Sequence, residues 1–221
     1  MSSWAVIQQS LPMFGEKGFQ LTLWLSFVGI IGSIIVGIIV SLLQYFKVPV
    51  LHQVVSIYVE VSRNTPLLIQ LFFLYYAFPV IGIKFGAELC GIIGLIFLGG
   101  SYMAEGFTGG FNGVSKGQLE SGKANRVESL AACQIHCLPT RILTERSGNG
   151  RQCVFLIKET SIFTVIAIPE LTNTALDLIG MYYRSNEYLL VLVVGYAIIL
   201  IPLSIILTLL EKRVRYGSFG N

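Results

Sequence analysis

The residues that can do chemistry in this chain are a few polar side chains set inside long apolar runs. Arg63, Asn64 and Gln70 lie in SIYVEVSRNTPLLIQLFFLYYAFPVIGI (residues 56–83), and Glu159 and Glu170 lie in VFLIKETSIFTVIAIPELTNTALDLI (residues 154–179). A charge or amide at membrane depth is costly unless it faces protein or a water-filled path. Placed so, these five residues are candidates for pathway or gating contacts. Some also have a plainer use. Arg63 with Glu60, and Lys158 with Glu159, are spaced to form ion pairs that anchor helix ends, and we take that reading for them. Glu170, beside helix-breaking Pro169, is the better pathway candidate.

No other constellation points to catalysis. The chain has no G-x-x-x-x-G-K-[ST], no H-E-x-x-H and no G-x-S-x-G, and its two histidines build no Ser/His/Asp set. No catalytic residue is assigned, and any nucleotide is expected to be hydrolysed on another chain. Cys133, His136 and Cys137 are close enough to suggest a metal site, but no second ligand pair matches them. We therefore expect no metal and no cofactor. His52 stands alone and reads as a polar loop residue.

The elements that must hold these residues are membrane helices. Of the 221 residues, 54% are hydrophobic and 12% charged, and the mean hydropathy is +0.73. Phe19 to Leu43 and Tyr188 to Leu210 carry no charge, and about 20 such residues cross a bilayer core. The N-terminus lacks the basic region of a signal peptide, so the first apolar run is expected to remain as a span. Spans are expected at about 19–43, 64–83, 87–107, 154–179 and 188–210, making the whole chain one all-α integral membrane domain with five transmembrane helices. Asn64-Thr65-Pro66 marks the start of the second. Gly29, Ser33, Gly37 and Ser41 recur at i+4 along the first span, a stripe suited to helix packing. Lys212, Arg213 and Arg215 directly follow the last span, which puts the C-terminus in the cytoplasm and, with five spans, the N-terminus outside. The net charge of +3 forms no basic face on a soluble domain, so nucleic acid is not an expected partner.

Four patches together resemble the polar amino acid ABC transporter permeases (histidine, glutamate, glutamine and arginine importers). They are QLTLWLS (20–26), YVEVSRNTPLLIQLFFLYYAFP (58–79), SYMAEGFTGGFNGVSKGQLES (101–121), and LIKETS (156–161) with EYLLVLVVGYAIILIPLS (187–204). The block R-[GN]-T-P-L-[LI]-[VI]-Q, here Arg63 to Gln70, is specific to that family. The resemblance implies an ABC importer type I permease fold in the bacterial inner membrane. It also implies a cytoplasmic ABC ATPase, an extracytoplasmic substrate-binding protein, and a second permease copy or a sister permease as partners. The competing reading is a channel-like or secondary-transporter subunit working without ATP, though we see no internal repeat of the kind secondary transporters show.

The resemblance further implies a coupling-helix loop that docks on the ATPase, expected over about 108–153. Gly117, Gln118, Glu120, Ser121 and Gly122 stand at its front, and Leu138-Pro139 match its hydrophobic-Pro pair. Residues Asn125 to Cys153 otherwise depart from the family, and the expected Gly after Glu120 is replaced by Arg126. Three of the four cysteines and four of the fifteen basic residues crowd into that stretch. Reading its codons one base later, with free choice among synonymous codons, permits IGLSHWQLAKYIVFPQG after Ala124 and VPAMAANV running into Val154. That peptide restores the missing Gly and the Pro-Gln pair. We therefore read residues 125–153 as frameshifted by a one-base insertion near Ala124 and a compensating deletion near Cys153, which would leave a coupling-defective permease if the protein carries it.

Overall fold

A computed structural model describes residues 3–112 and 148–218 of the chain. Among them there is no strand. The helices are α1 (Ser3–Met13), α2 (Gln20–Tyr45), α3 (Leu51–Asn64), α4 (Leu67–Phe72), α5 (Ala87–Asn112), α6 (Gly148–Glu159), α7 (Leu171–Tyr182) and α8 (Ser185–Ser218). This is the all-α membrane architecture expected from the composition.

Helix α5 is the centre of the packing, and α2 runs along it as the most extensive helix pair. The approach is close because the α2 stripe is small. A Cβ on Gly29 would lie 2.8 Å from Leu95 Cδ1, and one on Gly37 would lie 2.5 Å from Met103 Cβ and 3.1 Å from the Ala104 nitrogen. Ser33 and Ser41 on the same stripe are fully buried, and the Ser33 hydroxyl lies 2.7 Å from the Gly29 carbonyl and 3.1 Å from that of Leu95. Leu25, Leu67, Leu71, Leu95, Leu156 and Phe163 close the main core around α5. A second core joins the N-terminal segment to α7 and α8 through Val6, Phe14, Leu171, Leu178 and Tyr188.

Among the described residues, three stretches are single helical runs long and apolar enough to cross a bilayer: Trp4–Tyr45, Ala87–Gly109 and Ser185–Arg213. The first joins α1 to α2 through a π-helical turn, Phe14–Phe19. At 1.5 Å per residue its 42 residues reach about 60 Å, roughly twice the hydrocarbon core.

Two expected spans are not single helices. The stretch 64–83 holds the arm Leu67–Ile81, which begins after the expected Asn64-Thr65-Pro66 boundary, is built of three helical segments and meets α3 at 105°. The reason is Pro66, which forces Thr65 into the extended region (φ −111°, ψ 123°) and ends α3 at Asn64. The arm then loosens from α4 into a π turn (Phe73–Ala77) and a 3₁₀ turn (Phe78–Ile81), and Gly82 at φ 88° stops it. The expectation for 154–179 is corrected. Helix α6 passes into a 3₁₀ turn, Thr160–Ile166, which closes on Ala167 in the left-handed region (φ 54°). Ala167 N–H donates to the Thr164 carbonyl and Ile168 N–H to that of Phe163, the bond pair of a Schellman closure. Pro169 follows, and α7 starts afresh after Glu170.

Candidate functional site

The first break gathers the polar residues of the R-N-T-P-L-L-I-Q block. Pro66 has no N–H, so the carbonyl of Ser62, four residues earlier, loses its helical donor. Gln70, one turn into α4, supplies one from its side chain. Its Nε2 donates to the Ser62 carbonyl at 3.2 Å and to the Thr65 carbonyl at 2.9 Å. Asn64 Nδ2 donates to the Glu60 carbonyl at 2.7 Å. The Ser62 carbonyl freed by Pro66 is thus met by a side chain of the same block, which matters where water is scarce. Gln70 Oε1 is buried and has no partner among the described residues. An orphaned acceptor of that kind costs about 1–3 kcal/mol, so the amide is kept for its two donors.

The last turn of α3 is also tied to α5. The fully buried Ser62 donates to the Phe97 carbonyl at 2.8 Å and lies 3.0 Å from Ser101 Oγ. Tyr58, one turn earlier, donates to the same Phe97 carbonyl at 2.7 Å and packs edge-on against the Phe97 ring. Arg63, next to Ser62, therefore leaves the corner in a set direction. Its guanidinium lies over the Tyr102 ring, 5.2 Å from the centroid, and pairs with Glu105 at 2.6 Å. Both charged side chains stay open, at 35% and 57% exposure.

This arrangement corrects several expectations. Glu60 is not the partner of Arg63, because α5 offers a carboxylate and an aromatic face on the side to which the corner points the guanidinium. Lys158 and Glu159 do not form an ion pair either. The two salt bridges among the described residues are Arg63–Glu105 and Arg184–Glu187. Gln70 is 8% exposed and turned inward, with its amide bonded to two carbonyls of the corner. Asn64 remains exposed and Glu159, the last residue of α6, is half-buried; neither lies in the Arg63–Glu105 cluster. Glu105 is the residue that sequence reasoning missed. The available signal was a lone acid near the end of an apolar helix, but only the fold brings it to Arg63.

Glu170 is also placed differently from the expectation. It is completely buried and caps α7, with Oε1 accepting from Asn173 N–H at 2.8 Å and Oε2 from Thr172 N–H at 2.9 Å. The Tyr196 hydroxyl donates to Oε2 at 3.2 Å, and the Thr22 hydroxyl of α2 accepts from Leu171 N–H at 3.1 Å. The first-turn donors of α7 are thereby satisfied, and the carboxyl is enclosed by the chain itself.

The expected coupling-loop residues Gly117, Gln118, Glu120, Ser121, Gly122 and Pro139 lie outside the described residues, as do Cys133, His136 and Cys137. Among the described residues, no group of three or more His, Cys, Asp or Glu side chains is placed to hold a metal ion.

The packed α2–α5 pair, the proline-broken arm and the charge pair at its base can be set beside known proteins. A family model described as the binding-protein-dependent transport system inner membrane component matches residues 29–216. The chain belongs to this family. As a member of the binding-protein-dependent inner-membrane components it is a transport permease, with ATP hydrolysis on a separate chain. Relatives include the glutamine transport system permease protein GlnP of Escherichia coli (strain K12), 29% identical over 96% of this chain and 97% of that protein. The probable glutamine ABC transporter permease protein GlnP of Bacillus subtilis (strain 168) is 34% identical over 72% of each chain. Among solved structures, an amino acid ABC transporter crystallised with histidines superposes with a TM-score of 0.86 at 25% identity, covering 96% of this chain and 99% of that one. The inward-facing MetNI methionine ABC transporter shares the fold, with a TM-score of 0.66 at 17% identity. The permease family inferred from the four sequence patches is the family these comparisons show.

Proposed function

We propose that this chain forms half of the membrane path of an ATP-driven importer for polar amino acids, and that Arg63 and Glu105 contact the solute. The observation that carries this reading is the open Arg63–Glu105 pair over Tyr102 at the broken helix. An amino-acid zwitterion carries a carboxylate and an ammonium, and can exchange for the pair, one charge to each side chain. Asn64 adds an exposed amide at the same corner. Glutamine is the substrate named for the relatives from Escherichia coli and Bacillus subtilis, which makes glutamine the first solute to try.

The path is completed by a second permease copy or a sister permease. Only 6% of the most apolar window of α8 is buried within the chain, leaving a face for that partner or for lipid. A binding protein delivers from outside, with the N-terminus on that side, and an ATPase pair docks from the cytoplasm on the loop after α5. The basic run from Lys212 to Arg215 supports that orientation.

In proteoliposomes carrying the ATPase pair and binding protein, two versions of the chain test this reading: the chain as it stands, and one with residues 125–153 read in the restored frame. We expect ATP-dependent uptake of labelled glutamine or histidine from the restored version, and at least tenfold less from the unaltered one. Equal uptake would overturn the frameshift reading, and uptake independent of ATP would favour a channel. Arg63→Ala and Glu105→Gln in the restored version should each cost at least tenfold in labelled-glutamine binding. Unchanged binding in both removes them from the path.

A further inference from the structure

We propose that Gln70 is a positioning residue for transport: its amide stands in for the N–H that Pro66 lacks, and so holds the corner that aims Arg63 at Glu105. The inference rests on the reading of Arg63 and Glu105 as the solute-contact pair.

Ser62 is held from two directions. Its hydroxyl joins it to α5 through the Phe97 carbonyl and Ser101, and its carbonyl joins it to α4 through Gln70 Nε2. Arg63 is the next residue along the chain, so its backbone has little freedom while both ties hold. The second Gln70 donor, to the Thr65 carbonyl, fixes the peptide just before Pro66. Releasing the amide leaves two acceptors without donors at a 105° corner, and nothing else in the block offers an N–H to the Ser62 carbonyl. Oε1, buried and without a partner among the described residues, indicates which half of the amide matters. A residue kept only to fill space would be better served by leucine, which has no such atom to bury.

The donors make a prediction that volume does not. Gln70→Glu is nearly the same size and shape but offers only acceptors when ionised, so it sets a carboxylate against two carbonyls. It should disturb the corner more than Gln70→Leu. Restoring the missing backbone donor provides the complementary test. In Pro66→Ala/Gln70→Leu, residue 66 regains an N–H for Ser62, so the local bonding recovers while the corner loses the reason to bend.

The experiment uses the full chain in nanodiscs, with its four native cysteines replaced and spin labels at exposed Ile57 on α3 and Val80 at the tip of the arm. Pulsed electron paramagnetic resonance reads the distance between them. The parent should give one narrow distribution. Gln70→Leu should broaden it, Gln70→Glu should broaden it further, and the double variant should give a narrow distribution shifted to longer distance. Gln70→Leu should also weaken labelled-glutamine binding at least tenfold. Distributions for Gln70→Leu and Gln70→Glu that superpose on the parent would overturn the proposal, as would Gln70→Leu disturbing the corner more than Gln70→Glu. If the corner responds as expected while Arg63→Ala leaves glutamine binding intact, the positioning of Arg63 stands and the solute-contact reading fails. The two failures are therefore distinguishable.

Discussion

Two breaks among the described residues, at Pro66 and Pro169, are bonded in opposite ways. At Pro66 the freed groups that are met are carbonyls of the helix behind, and the partner is a donor, the Gln70 amide. At Pro169 they are N–H groups of the helix ahead, and the partner is an acceptor, the Glu170 carboxylate. The consequences for charge also differ. Glu170 is enclosed completely, and its neighbours Tyr196 and Thr22 come from α8 and α2. Arg63 and Glu105 stay open at the surface of the first break. A buried carboxyl with both oxygens bonded to the chain serves stability, whereas an exposed pair is free to exchange its partner for a solute. The comparison therefore separates two acids set in apolar stretches, Glu170 as structural and Glu105 as a candidate for contact.

That separation can be broken by stability measurements, using thermal unfolding in detergent. The largest effect is expected from Glu170→Ala, which strips two first-turn N–H groups and the Tyr196 hydroxyl of their acceptor and should cost about 2–3 kcal/mol. An unchanged midpoint would sink the sealed-cap account. Thr22→Val removes the acceptor for the buried Leu171 N–H and should cost about 1 kcal/mol; no loss would mean that α2 does not brace this break. Arg63→Ala should cost only about 0.5 kcal/mol, the range of an exposed pair, while strongly reducing solute binding. A loss as large as that of Glu170→Ala would make the pair structural and collapse the contrast. The smallest change should be a gain. Ala167 holds a left-handed conformation that costs an L-residue about 1–2 kcal/mol, partly offset by the backbone entropy that glycine adds to the unfolded chain. Ala167→Gly should therefore stabilise by roughly a few tenths of a kcal/mol, and a drop in the midpoint would argue against the Schellman closure.

Much of the fold is legible in the residues because membrane helices announce themselves by composition. Charge-free runs mark α2 and α8, and small residues at i+4 mark the face α2 turns to α5. The candidate site is legible only in part. Pro66 reads as a boundary in any sequence, and the block around it identifies the family. That Gln70 belongs to the helix behind it cannot be read locally, since the interaction spans a bend. Glu170 had a faint local signal, an acid after proline at the start of an apolar run. Glutamate is not among the favoured N-cap types, so the signal pointed equally to a path.

Taken alone, the sequence determined that this protein is a helical membrane permease, because both hydrophobic length and the R-N-T-P-L-L-I-Q block are local properties. It also prompted the reading of residues 125–153 as frameshifted, since codon arithmetic needs no coordinates. Tertiary structure decided which charges meet. Arg63 finds Glu105 in place of Glu60, and Glu170 turns inward, because burial and pairing depend on which helices pack together. Those choices come from a 105° corner and a close α2–α5 contact. Neither is a property of any single stretch of residues.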